Sequence, residues 1–300
     1  MPLDENYIAR TILRLEHKAK NLLAFQRLTD KWYHIILLRL YLEKELELEL
    51  KPGGRISIAN RDTHYTVETT GSRFTFYYSM KSRAKHTLDL IIEQFVLEEY
   101  HNLAVKGRVV LDVGASEGDS AIYFAARGAK RVYALEPYLY SCNLARRNVS
   151  ANRLNGKIRV LEAGCGGKDA QVLIDPNYRN SMYSTLRHFS TGRRTRIFSL
   201  RSLVKKYGLR GAVLKLDCEG SEYEIILNSD NRVLRNFCQI LIEYHHGSEE
   251  LERKLRSAGF RTSYIMQKDY RTLSGKGDGG HVGILLAELG RRASSHSTTV

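Results

Sequence analysis

Two strand-to-helix turns and two strand ends gather the residues able to do chemistry in this chain. Residues 109–119 read V-V-L-D-V-G-A-S-E-G-D, an apolar run entering a turn that carries Asp112, Gly114, Ala115, Ser116 and Gly118. A helix is expected over 120–127. In a doubly wound sheet, ligands bind beyond the carboxyl ends of the strands, where such turns sit. The dinucleotide pattern G-x-G-x-x-G is absent: aligned on Gly114, its first glycine is Asp112 and its third is Glu117. A pyrophosphate against the helix N-terminus would meet Asp112, Glu117 and Asp119, and three carboxylates repel a diphosphate. A ligand with no phosphate and a positive charge suits them, and S-adenosylmethionine, with its sulfonium and ammonium groups, is one. Gly114 and Gly118 are expected to let the backbone approach it closely.

The next apolar run ends Leu135-Glu136-Pro137, placing an acid twenty-two residues after Gly114. A carboxylate at that strand tip can accept hydrogen bonds from both ribose hydroxyls. A third contact, facing the adenine, is expected at Glu162-Ala163-Gly164. The second turn, L-K-L-D-C-E-G-S-E-Y-E at 214–224, holds Asp217 and Glu219, while Ser221 and Glu224 form a capping-box pattern. A further strand ends Ile242-Glu243-Tyr244-His245-His246. Methyl transfer to a hydroxyl needs alignment and removal of a proton. His245 is the first candidate for base, Asp217 the second, with Glu219 beside them. Asp217, Glu219, Glu243 and His245 also suit a divalent metal, and the sequence leaves base and ligand open.

The elements that must position these residues follow from periodicity. Apolar residues recur at helical spacing within residues 3–42, with Thr29 and Asp30 as caps. Residues 45–50 alternate Glu and Leu, which suits a strand or a helix end. After Lys51-Pro52-Gly53-Gly54, two or three strands are expected within 55–78, and a helix over 87–100. Apolar runs at 109–113, 131–135, 158–161, 212–216, 239–242, 261–265 and 282–287 alternate with amphipathic helices, one of them at 138–152. This predicts an α/β fold with a mainly parallel sheet covered by helices on both faces. The expected division is an N-terminal helical and small β extension at 1–86, one α/β domain at 87–290 and a disordered tail at 291–300.

D-V-G-A-S-E-G-D-S at 112–120, L-E-P at 135–137, L-K-L-D-C-E-G-S-E at 214–222 and I-E-Y-H at 242–245 together resemble the FkbM-type methyltransferases, over roughly residues 94–288. The resemblance implies the Rossmann-like seven-stranded class I methyltransferase sheet, S-adenosylmethionine as cofactor, and O-methylation of a sugar or related hydroxyl. It maps the family's cofactor turn onto Asp112, Gly114 and Gly118, its ribose acid onto Glu136, and its second acidic signature onto Asp217 and Glu219. The family's Ser-rich loop before the fourth strand is matched only loosely by N-S-M-Y-S-T at 180–185.

The chain has 300 residues, 47 Lys plus Arg against 33 Asp plus Glu, and a formal charge of +14, which admits nucleic acid, an acidic lipid surface or a phosphorylated substrate as partner. Basic clusters at 193–196 and 205–206 keep an RNA methyltransferase acting on ribose as an alternative. No N-P-P-Y-type tetrapeptide is present, which disfavours methylation of a base nitrogen. A non-catalytic nucleic-acid-binding module is the alternative outside the enzyme class. The expected partner is a small-molecule or glycan acceptor, with the oligomeric state open. Cys142, Cys165, Cys218 and Cys238 form no C-x-x-C pair, so free thiols are expected. The absence of an unbroken apolar span leads to the expectation of a cytoplasmic protein.

Overall fold

The computed structural model describes residues 45–49, 55–78, 81–174, 192–269 and 281–290. The helical region at 3–42, the 180–185 loop and the 291–300 tail lie outside the described residues. Strands β1 (Glu45–Glu49), β2 (Arg55–Asn60), β3 (His64–Thr69) and β4 (Ser72–Tyr77) form an antiparallel sheet in sequence order. The Glu-Leu alternation thus resolves as a strand, with Leu48 buried and Glu47 and Glu49 exposed. Helix α1 (Lys81–Ile91) begins six residues before the apolar pattern announces it, because its first turns are polar and its buried leucine is Leu88. It passes into a π-helical turn, Ile92–Val96, closed by Leu97 N donating to Ile92 O at 2.9 Å.

The α/β part follows as β5 (Val109–Val113), α2 (Asp119–Ala126), β6 (Arg131–Leu135), α3 (Leu139–Ala151) and β7 (Ile158–Leu161). A small sheet that periodicity did not reveal comes next, from β8 (Ala163–Gly166), β9 (Ala170–Ile174) and β10 (Arg193–Ser199), in the order β8-β10-β9. Then come α4 (Leu200–Tyr207), β11 (Ala212–Leu216), α5 (Glu222–Leu227), α6 (Asn231–Leu234), β12 (Phe237–Tyr244), α7 (Glu249–Ser257), β13 (Phe260–Asp269) and β14 (His281–Leu289).

The main sheet has seven strands in the order β13-β14-β12-β11-β5-β6-β7. β12, β11, β5, β6 and β7 are mutually parallel, and β14 is antiparallel to both its neighbours. From β5 the chain builds outward to β6 and β7, then returns to place β11 on the other side. That reversal opens a crevice beyond the carboxyl ends of β5 and β11.

The N-terminal sheet and the α/β part share one hydrophobic cluster, running from Leu48, Ile56 and Phe76 to Phe95, Phe124 and Val132. The Phe95 ring lies 5.3 Å from Phe74 and 5.6 Å from Tyr123. Asn148 on α3 and Asn152 at its C-terminal cap accept the backbone N–H groups of Tyr77 and Thr75 at 2.7 Å, standing in for a neighbouring strand along β4. The division expected at residue 86 falls inside α1. No helix among the described residues is long and apolar enough to cross a membrane.

Candidate functional site

The turns after β5 and β11 interlock. Gly114 has φ +80, and a Cβ there would stand 1.7 Å from the Asp217 carbonyl oxygen. Asp217 N donates to Val113 O at 3.2 Å. Gly114 is therefore required by the neighbouring turn, whereas the sequence assigned it to close approach by a ligand. Gly118 has φ +85 and a Cβ would lie 3.2 Å from Ala145 of α3, so it serves helix packing. Between them Ala115 is fully buried, its N–H donating to Leu135 O, and Ser116 holds φ +43 without being a glycine. Such backbone costs on the order of 1–3 kcal/mol and tends to cluster at ligand sites.

The three acids of the first turn take different places. Asp112 is wholly buried; it accepts from Ser120 Oγ at 2.7 Å and lies 3.4 Å from Lys215 Nζ. Burial pushes its carboxyl up, and Lys215 and Ser120 oppose the shift. Glu117 turns to α1 and accepts from Thr87 Oγ1 at 2.6 Å. Only Asp119 lines a cavity: its Oδ1 is buried with no hydrogen-bond partner among the described residues, and burial raises the group to about 7. The expected wall of three carboxylates is thus one, and the other two are held by Ser120 of the same motif and by the distant Lys215 and Thr87.

Two adjoining cavities, of about 250 and 90 Å³, occupy the crevice and share Leu90, Glu93, Gly114, Ser116, Asp217 and Glu243. The larger extends past Glu136, Pro137 and Tyr138 to Gly164 and Cys165. Glu136 is fixed by the N–H groups of Ser116 at 3.1 Å and Tyr138 at 2.9 Å, and burial lifts it to about 8. Glu162 turns elsewhere, to Arg193 at 3.0 Å, and Ala163 opens β8; the cavity wall at that edge is the two residues that follow. The smaller cavity adds Glu99, Tyr100, Asp119, Ser120 and Lys215. Lys215 donates to Gly114 O at 2.8 Å and lies 3.3 Å from Asp217. Its own burial would lower it, but Asp217, Asp112 and Asp119 outweigh that and hold it raised. Glu93 is pushed well up by burial and by Glu99 and Glu243.

In the second turn the expected capping box does not form: Ser221 is helical and its side chain makes no cap bond. The next residue, Glu222, does that work, its carboxylate accepting from Cys218 N at 2.6 Å and Gly220 N at 2.7 Å. Asp217, which accepts from Tyr100 Oη at 3.3 Å, and Glu219, at φ +57, are left on the cavity. His245 stands behind Glu219, 3.6 Å from it and 3.7 Å from Glu222, and is absent from the walls of both cavities. Burial works to lower its pKa, but Glu222, Glu243 and Glu219 raise it to about 9, so at neutral pH it is a cation. Burial lifts Glu219 to about 7. A general base acts best near the operating pH, a condition that Glu219 meets and a protonated His245 does not. Ligand atoms of Asp217, Glu219 and His245 lie within 4.8 Å of one another, a spacing that also suits a divalent cation.

Lys215, Glu93 and Tyr100 escaped the sequence reading. Lys215 left a signal, a lone cation in the otherwise apolar strand A-V-L-K-L. Glu93 and Tyr100 lie in a segment whose pattern shows only a helix. The four cysteines are free thiols.

Residues 112–262 match the family model described as the methyltransferase FkbM domain. A segment of 67 residues is 43% identical to the ribosomal protein L11 methyltransferase of Carboxydothermus hydrogenoformans, covering 22% of this chain and 22% of that protein. A segment of 106 residues is 29% identical to a protein arginine N-methyltransferase of Oryza sativa subsp. japonica, covering 33% of this chain and 27% of that protein. The chain therefore spans less than a third of these curated relatives. Among solved structures, M. capricolum TrmK in complex with S-adenosyl-homocysteine is similar at 13% identity and TM-score 0.42, over 67% of this chain and 72% of that one. A tRNA methyltransferase of M. jannaschii is similar at 12% identity and TM-score 0.40, over 82% and 58%.

Proposed function

We propose, from the premise that the chain belongs to the methyltransferase FkbM domain family, that it methylates a hydroxyl oxygen of a sugar, glycan or related small molecule. The chain is a methyltransferase by that membership, and its family's methyl donor is S-adenosylmethionine. One observation carries the reading of the site: the adjoining cavities at the switch point are polarised, with a fixed carboxylate at one end and a cluster of acids around an orphaned Asp119 oxygen at the other. That donor set fits a ligand with a ribose and a cationic amino-acid end.

Glu136 would accept the ribose hydroxyls, beside Pro137, and Gly164 and Cys165 would flank the base. Asp119 and Glu93 would hold the ammonium, and Lys215 the carboxylate. S-adenosylmethionine, when bound, supplies an electrophilic methyl carbon. Glu219 accepts the acceptor's proton, Asp217 orients the hydroxyl within the same cavity, and His245 acts as a positioning residue that holds Glu219. The catalytic portion is the α/β part from α1 to β14, with the β1–β4 sheet packed against it.

Glu136→Ala should weaken S-adenosylmethionine binding in calorimetric titration about tenfold, the cost of about one lost hydrogen bond. Unchanged affinity would remove Glu136 from ribose binding. Transfer of labelled methyl to carbohydrate fractions, with RNA and protein fractions alongside, tests the acceptor: label appearing only in RNA or protein would overturn the hydroxyl assignment. The rate should survive dialysis against a chelator; loss restored by a divalent cation would turn Asp217, Glu219 and His245 into a metal site instead.

A further inference from the structure

The edge of the main sheet opposite the cavities is as basic as the cavity edge is acidic. At this edge the five parallel strands begin side by side, in the order β12-β11-β5-β6-β7. Lys106 and Arg108 precede β5, Lys130 and Arg131 lead into β6, and Arg153 and Lys157 precede β7. Lys205, Lys206 and Arg210 lead to β11, and Arg232 and Arg235 to β12. All are exposed except the half-buried Arg131. The connections 102–108, 127–130, 152–157 and 208–211 contain no Asp or Glu. Acids that border the row are already engaged, Glu98 by Arg127, Asp230 by Arg201 and Glu288 by Gln239.

Backbone hydrogen bonds carry the sheet's ladder through these connections and hold the cations in one row. Gly107 N donates to Gly128 O at 2.8 Å, Lys130 N to Arg108 O at 2.8 Å, Val132 N to Lys157 O at 2.9 Å and Ala212 N to Asn236 O at 3.1 Å. With neighbouring strands about 4.8 Å apart, five strand starts make a row of about 19 Å. A duplex strand presents one phosphate per about 3.4 Å of helix axis, so such a row matches the axial length of about five to six of them.

We propose that this edge docks the sugar–phosphate backbone of a nucleic acid, independently of sequence. Arginine guanidinium groups pair with phosphate oxygens through two parallel bonds. A lipid surface fits less well, because interfacial binding gains strength from inserted apolar side chains. The exposed large apolar residues among those described are Leu227 and Tyr264, and neither lies in these connections. The row is separated from the cavities by the length of a five-residue strand, about 16 Å. It therefore tethers the enzyme to the polyanion rather than presenting the methyl acceptor, and stands whatever the acceptor is.

The test uses the full chain and a fluorescent RNA duplex of about 20 base pairs. Binding should be measurable at about 50 mM salt and fall steeply toward about 200 mM, as counterion release demands. Combining Arg108→Glu, Lys130→Glu, Lys157→Glu and Arg210→Glu should weaken it at least about tenfold. The same charge change made elsewhere, by Arg146→Glu, Arg194→Glu, Arg196→Glu and Arg253→Glu, should cost less than about threefold. Equal losses in the two variants, or no binding by the unaltered chain at low salt, overturn the proposal. So does tighter binding to phosphatidylserine vesicles than to RNA, lost in the first variant. S-adenosylmethionine affinity and melting temperature, unchanged in both variants, show that the folds compared are intact.

Discussion

After β5 the chain passes Asp112, Gly114, Glu117 and Gly118 into a helix; after β11 it passes Asp217, Glu219, Gly220 and Glu222 into another. The two turns have nearly the same composition and adjacent positions, yet they distribute their acids in opposite ways. In the first, Asp112 and Glu117 are taken up by Lys215, Ser120 and Thr87, and only Asp119 reaches a cavity. In the second, Glu222 is turned inward onto two backbone N–H groups of its own turn, whereas Asp217, beside Lys215 and Tyr100, and Glu219, beside His245, still face the cavity. A buried carboxylate must find donors, and which acids stay free for chemistry depends on where those donors come from. The first turn turns most of its acids into the scaffold, and the second turns two of its acids toward the cavity.

Substitutions at the two turns should separate these roles. The largest effect is expected from Gly114→Ala, which forces a left-handed backbone and a clash with the Asp217 carbonyl; it should destabilise by about 3 kcal/mol or more, read by thermal denaturation. A melting point close to the unaltered chain's would mean that the turns are not interlocked.

Glu219→Gln should leave the fold and cofactor affinity intact while lowering kcat roughly a hundredfold. Because Glu219 is lifted to about 7 and a base must be ionised, the rate of the unaltered enzyme should rise with pH through that value and level off above it. The variant should lose this limb, and a variant that keeps it would shift the base to another group. Glu117→Gln should do least: about 1 kcal/mol of stability for the altered bond to Thr87, with cofactor affinity changed less than about twofold. A large loss of affinity there would restore Glu117 to the ligand side and erase the contrast between the turns.

The strands were legible to a degree that burial explains. Four of the parallel strands, at 109–113, 131–135, 158–161 and 212–216, stand where the apolar runs put them, because strands covered on both faces must be apolar along their length. The small sheet at β8, β9 and β10 escaped because it is half-exposed and its cations, Arg193, Arg194 and Arg196, break the alternation. Glu136 was legible from its distance to Gly114, since a crossover fixes where the next strand ends. Glu93, which shares its cavity, and Tyr100, in the adjoining one, come from a segment that precedes the turn and announces no chemistry.

Local sequence determined the alternation of strand and helix, the acid-glycine turns, the family and the excess of positive charge. Only the tertiary structure decided which acid faces the cavity, because deciding partners, Thr87 for Glu117 and Lys215 for Asp112, lie 30 and about a hundred residues away along the chain. It decided likewise where the charge sits. Cations scattered over five separate connections become one row only because parallel strands all begin at the same edge, and the sequence cannot show that edge until the strands are paired.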